Sequence, residues 1–170
     1  MKIIRFLFFF LFTNYCFAQN IATIDYEKIF LNSLAYKNFL KEVDLFKNNQ
    51  QKSFDNIEKN LLKNKKELDS SKIILSEKEF NEKLVIYEKN VIEYQEKINE
   101  INSEIYEEIE RAKSIINKEV LDIIKKLAVN QNIQLIFDAN QYVVAIKELD
   151  ITDLVIKQVN SNIKKIKFNK

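Results

Sequence analysis

Phe80, Leu84, Tyr87, Val91, Tyr94, Ile98, Ile101 and Ile105 recur at alternating spacings of four and three, with mostly charged and amide residues between them. That is the seam of a coiled coil, sustained for nearly four heptads. Across Ile101, Ile105 and Ile109 the spacing becomes four and four, a stutter at which a coiled coil locally unwinds. Apolar spacing then resumes through Ala112, Ile116, Val120, Ile123 and Leu127. Ser76-Glu-Lys-Glu79 has the form of a capping box and predicts the start of this helix. From Ser76 to about Ala128 the rod would be roughly 80 Å long.

The preceding stretch offers a partner. Leu40, Val43, Phe54, Ile57, Leu61 and Leu68 share one heptad frame, with polar Lys47, Gln50 and Asn64 at its remaining seam positions and Phe39 and Phe46 beside it. Between the two stretches, Asp69-Ser-Ser-Lys72 is the best turn candidate in a chain without Gly or Pro. A short connection makes the helices antiparallel neighbours. A hairpin arm is therefore expected over residues 33–128, with its tip near 66–76.

The two ends follow a different period. Ile21-Ala-Thr-Ile-Asp25 reads as a short strand, followed by a helical turn through Leu31. Ile133-Gln-Leu-Ile-Phe-Asp138 and Tyr142-Val-Val-Ala-Ile146 are rich in β-formers and separated by three residues, the pattern of a β-hairpin. A last helix opens at Asp150 or Thr152. The fold class is thus α+β, mostly α: a long antiparallel coiled-coil hairpin on a small body made from residues 19–32 and 129–170. That body holds only about 55 residues, a size that rarely stands without disulfides, metal or association. Association through the strand segments is expected, with Ile21, Ile24, Ile133, Leu135, Phe137, Val144 and Ile146 as candidate contacts between copies.

Residues 1–18 read as a secretory signal peptide. Lys2 and Arg5 precede the apolar run Phe6–Phe12, and Cys16-Phe-Ala18 supplies small residues for cleavage. The apolar run is shorter than the ~20 residues that span a bilayer. Removing Lys2 and Arg5 from the 27 basic residues leaves 25, equal to the 25 acidic ones, so the mature chain has no formal net charge. Its single cysteine is lost as well, and no disulfide is expected in a compartment that permits them.

These absences restrict the chemistry. Without His, and without Cys after cleavage, there is no Ser-His-Asp triad, no thiol nucleophile and no usual zinc set. Without Gly there is no phosphate-binding loop. The acids mostly decorate helices, so no enzyme and no cofactor are expected. A neutral, exported chain is also a poor nucleic-acid binder.

Along nearly its whole mature length the chain resembles the Skp/OmpH family of periplasmic chaperones from Gram-negative bacteria. The likeness is carried by Ile21-Ala-Thr-Ile-Asp-Tyr-Glu-Lys-Ile-Phe30, by Asn132-Ile-Gln-Leu-Ile-Phe-Asp138 and by Leu149-Asp-Ile-Thr-Asp-Leu-Val155. The resemblance implies a homotrimer whose arms hang from a shared body around a cavity. It also implies a holdase that shields unfolded outer-membrane β-barrel proteins without ATP before their insertion. Lys59, Lys63, Lys65 and Lys66 near the tip become candidates for contact with acidic client segments, lipopolysaccharide or anionic lipid headgroups; a solvated helix face is the bland alternative. Ile73, Ile74 and Leu75 at the tip either grip client or close the hairpin. Residues 93–110 carry seven glutamates and one lysine, which departs from a basic arm. Lys157, Lys164, Lys165, Lys167 and Lys170 partly offset them, in a tail whose like charges suggest disorder. A structural adaptor of the envelope, bridging folded partners, would use the same hairpin.

Overall fold

A computed structural model describes residues 20–170. The signal peptide expected over residues 1–18 lies outside the described residues. The chain runs β1 (Ile21–Ile24), α1 (Tyr26–Asn32), α2 (Leu34–Ser71), α3 (Glu77–Asn130), β2 (Leu135–Asp138) and α4 (Thr152–Asn162). Two long helices and a two-stranded sheet make the fold mostly α, as the heptad pattern predicts. No helix among the described residues is long and apolar enough to cross a membrane.

Helices α2 and α3 form the hairpin. Phe54 meets Tyr94 edge to face at 5.9 Å. Towards the tip Leu68 shares a hollow with Tyr87, and towards the root Tyr36 lies beside Lys113, so the pairing is antiparallel. The turn falls at 72–75, later than the serines at 70 and 71 suggest. Their hydroxyls donate back to the carbonyls of Lys66 and Leu68, which lets α2 continue through Ser71. Ile74 and Leu75 donate backbone N–H groups to the Ser71 carbonyl and close the turn. Ser76 then caps α3: its Oγ accepts from Glu79 N–H, and Glu79 Oε2 accepts from Ser76 N–H at 3.1 Å. The Ser76 hydroxyl and backbone donors hold the Glu79 carboxyl below its usual range.

At the far end of α3 a chain without glycine must still turn sharply. Asn132 takes φ 51°, the left-handed position, while Ile133 N–H reaches back to the Ala128 carbonyl at 2.9 Å. Asparagine is the residue other than glycine that tolerates this cap. The reversal delivers β2 alongside β1 in parallel, with Ile21 facing Leu135 and Ile24 facing Asp138.

This pairing corrects the β-hairpin expected at 133–146. β2 pairs with β1, and Tyr142–Ile146 forms no strand. Asp138 and Gln141 instead make a capping box around a 3-10 turn at Ala139–Gln141, which carries the chain off the sheet. The other side of β1 is partly covered by a single bridge from Thr23 to Asp150.

Polar side chains knot the body together. Asp25 caps α1 by accepting from Lys28 N–H at 2.8 Å, while its own N–H donates to the fully buried Thr152 Oγ1 at 2.9 Å. Thr152 N–H donates in turn to Asp150 Oδ1. Lys28 pairs with Asp153 at 2.8 Å, raising the ammonium's pKa and lowering the carboxyl's. At the break between α1 and α2, Asn160 accepts from Leu34 N–H and donates to the Asn32 carbonyl. The Asp-Ile-Thr-Asp run therefore ties α4 to the first strand and helix.

The hydrophobic core does not stop at the body. It joins Ile24, Ile29, Val155 and Val159 to Phe39 and Val43 of α2 and to Ala112, Ile116, Val120 and Ile123 of α3. The root of the arm thus supplies two-thirds of the buried residues of a core larger than the strand segments alone would build, so small size is no longer the reason to expect association. The tail, expected to be disordered, is instead docked on this root, with Ile166 buried and Phe168 packed between Phe39 and Phe46.

Candidate functional site

The arm buries very little beyond its root. Among the described residues, only Phe54 and Leu68 are buried distal to Val43 on α2, and none is buried on α3 before Ile105. The seam residues Phe80 to Ile98 are half-buried. Asn64 interrupts the seam, and hollows of about 240 and 280 Å³ open on either side of it, against Tyr87 and Tyr94.

Outside the seam, apolar side chains stand in water. Val85, Ile92 and Tyr106 are 63%, 55% and 65% exposed and, with Asn99, occupy one heptad position of α3. Ordinary two-stranded coils place charge there. The glutamates of 93–110 avoid this row, since Glu93, Glu96, Glu100, Glu107 and Glu110 fall at other positions of the heptad. The sequence carried this signal as a second seven-residue spacing, hidden beneath the stronger seam.

The tip combines exposed lysine with exposed isoleucine. Ile73 and Ile74 are 93% and 83% exposed, whereas Leu75 is half-buried. Lys59, Lys63, Lys65 and Lys66 are all exposed, and only Lys63 has an acidic partner among the described residues, Glu67 at 3.7 Å. The four lysines do not converge on one point. They line two turns of helix.

The body presents a second apolar surface. β2 is hydrogen-bonded to a neighbour on one side only. Leu135, Phe137, Val144 and Ile146 are exposed on or beside it, and Val143, which the sequence did not single out, is fully exposed. Ile21 and Ile133 are half-buried, and Ile24 lies in the core of its own chain. Among the described residues no cluster of three or more His, Cys, Asp or Glu side chains is placed to hold a metal.

A family model described as "Outer membrane protein (OmpH-like)" matches residues 20–159. Among solved structures, the crystal structure of a proposed outer membrane chaperone (OmpH-like) from Caulobacter crescentus CB15 aligns with a TM-score of 0.77 at 17% identity, covering 89% of each chain. That likeness shows the fold. No curated protein matches the sequence significantly.

Proposed function

We propose that this chain, a member of the OmpH-like family of outer membrane proteins, is an ATP-independent periplasmic holdase for unfolded outer-membrane β-barrel proteins. The observation that carries the reading is the exposed row Val85, Ile92 and Tyr106 on an arm whose own seam is already made. A row of this kind offers weak, non-directional apolar contact along tens of ångströms. Several arms acting together add such contacts into useful affinity while each stays reversible. An unfolded barrel strand, apolar on one face and unpaired at its edges, is the client that needs such cover.

The assembly is read as a homotrimer. The free edge of β2 with Leu135, Phe137, Val144 and Ile146 is the surface that two further copies would cover, since a monomer leaves it open to indiscriminate pairing. Export and cleavage after about Ala18 would place the mature chain in the periplasm. A urea-denatured outer-membrane barrel diluted into buffer tests the reading directly. Stoichiometric trimer should suppress the rise in light scattering; an unchanged rise rejects the holdase and favours an adaptor with a folded partner.

The tip fits an anionic surface, of client or of lipid headgroups. Replacing Lys59, Lys63, Lys65 and Lys66 by Gln removes four charges, each worth about 1 kcal/mol near an anionic membrane. Co-sedimentation with vesicles containing phosphatidylglycerol should fall at least ~10-fold. Equal sedimentation of both chains would leave these lysines as an ordinary solvated face.

A further inference from the structure

The C-terminal segment Ile163–Lys170 leaves α4 and lies without regular secondary structure along the root of the arm. Its contacts have the character of peptide recognition. Ile166 is buried, and the Phe168 ring meets Phe39 at 5.9 Å and Phe46 at 5.3 Å, both edge to face. The arm also satisfies the segment's backbone. Phe168 N–H donates to Glu42 Oε2 at 3.4 Å and Asn169 N–H to Glu108 Oε2 at 3.2 Å, while the Lys167 carbonyl accepts from Arg111 Nη2. Glu108 and Arg111 hold each other in a fork, with Arg111 Nε and Nη2 at 3.1 and 2.7 Å from the two carboxylate oxygens. Two lysines complete the set, Lys165 on Glu42 at 2.8 Å and Lys170 on Glu104 at 2.9 Å. These partners hold the Glu42 and Glu108 carboxyls below their usual range, through Lys165 and Arg111 respectively.

We infer that the root of the arm is a groove for an extended, basic polypeptide segment with alternating apolar side chains, and that the chain's own tail fills it as a displaceable strap. Three observations point this way. Main-chain bonds to fixed side chains combined with pockets for alternate residues are the elements by which grooves recognise extended peptides. The strap forms no helix or sheet bonds past the cap of α4, where Ile163 N–H reaches the Val159 carbonyl, so its release breaks no helix or strand and uncovers only the edge of the core that Ile166 and Phe168 pack against. The groove residues, from Phe39 to Arg111, lie inside the family match over residues 20–159, whereas the strap lies beyond it.

Tethering sets the threshold. A segment attached at Asn162 competes at an effective concentration of order 1 mM, so only a tighter or multiply attached ligand displaces it. Release uncovers Glu42 and Glu104, whose lysine partners leave with the strap, along with the apolar floor, which explains the basic preference; Glu108 stays paired with Arg111. The site stands apart from the holdase reading, because its test involves neither aggregation nor an outer-membrane client.

The probe is a fluorescein-labelled synthetic peptide reproducing residues 162–170, followed by anisotropy. It should bind the chain spanning 19–162 at least tenfold tighter than the chain spanning 19–170. The full-length chain carrying Ile166→Ser and Phe168→Ser should bind it like the shortened one, and a peptide with serine at both positions should bind neither. Equal binding by intact and shortened chains overturns the proposal. So does equal binding of the serine peptide, which would reduce recognition to lysine charge. Loss of helical circular dichroism in both opened chains overturns it as well, because the strap would then be an integral part of the core.

Discussion

A chain carrying Phe137→Asp and Val144→Asp is expected to sediment as a folded monomer at micromolar concentration, where the unaltered chain should sediment as the proposed trimer. Both side chains stand on the unpaired side of the body, Phe137 at 37% and Val144 at 85% exposure, and neither joins the core of its own chain. Burying a Phe or Val side chain between copies stabilises by about 1.5–3 kcal/mol each. Aspartate forfeits that and adds a charge whose burial costs several kcal/mol unless it is paired. In the proposed trimer each change is repeated three times and like charges come together, so the assembly constant should fall by at least ~10³-fold. Folding of the protomer should survive. Ile136, the residue of β2 that packs on the core, is untouched, as is the Thr152 knot. Circular dichroism checks the protomer and sedimentation velocity the assembly; holding of unfolded client should disappear with the trimer. A double variant that still sediments as a trimer moves the interface elsewhere. An unaltered chain that sediments as a folded monomer removes the shared body from the reading.

What the sequence made legible follows from the range of the interactions involved. The two long helices are written locally, in a 4-3 seam and in the Ser76-Glu79 capping box, and both stand where that pattern puts them. β1 and β2 are also visible as short runs of β-formers. Their pairing is not, because β2 finds its partner more than 100 residues back, in parallel register. A single chain carries no local signal for such a contact, whereas two β-rich runs three residues apart imitate a hairpin. The same reason hid the strap. Its lysines read as mutual repulsion because the acids that satisfy them, Glu42 and Glu104, lie far away in sequence. The tip was legible as a candidate because exposure there follows from the turn itself: Ile73 and Ile74 have no facing helix to cover them. Which side of the arm is left apolar was not, since Val85, Ile92 and Tyr106 gain meaning only once the stronger seam is known to be occupied.

Phe39→Ala should lower the midpoint of thermal unfolding by on the order of 10 °C, and Tyr87→Ala by only a few degrees. Phe39 has no exposed surface and sits where α2, α3 and the strap meet, stacked on Tyr36 at 6.2 Å and edge-on to Phe168 at 5.9 Å. Truncating a fully buried Phe costs about 3–5 kcal/mol, with a contribution from each lost aromatic pair inside that range. Tyr87 lies on the seam of the distal arm, half-buried beside the hollow at Asn64, so part of its surface is already in water and less is lost. The measurement is a circular dichroism melt at one fixed protomer concentration, because association shifts the midpoint by mass action. Equal shifts at the two sites would mean that stability is spread evenly along the arm. Unequal shifts in the expected order place it at the root and leave the distal turns weakly held. That gradient is the one the proposed holdase would require: a fixed base to keep its arms pointing the same way, and an outer half soft enough to follow clients of different size.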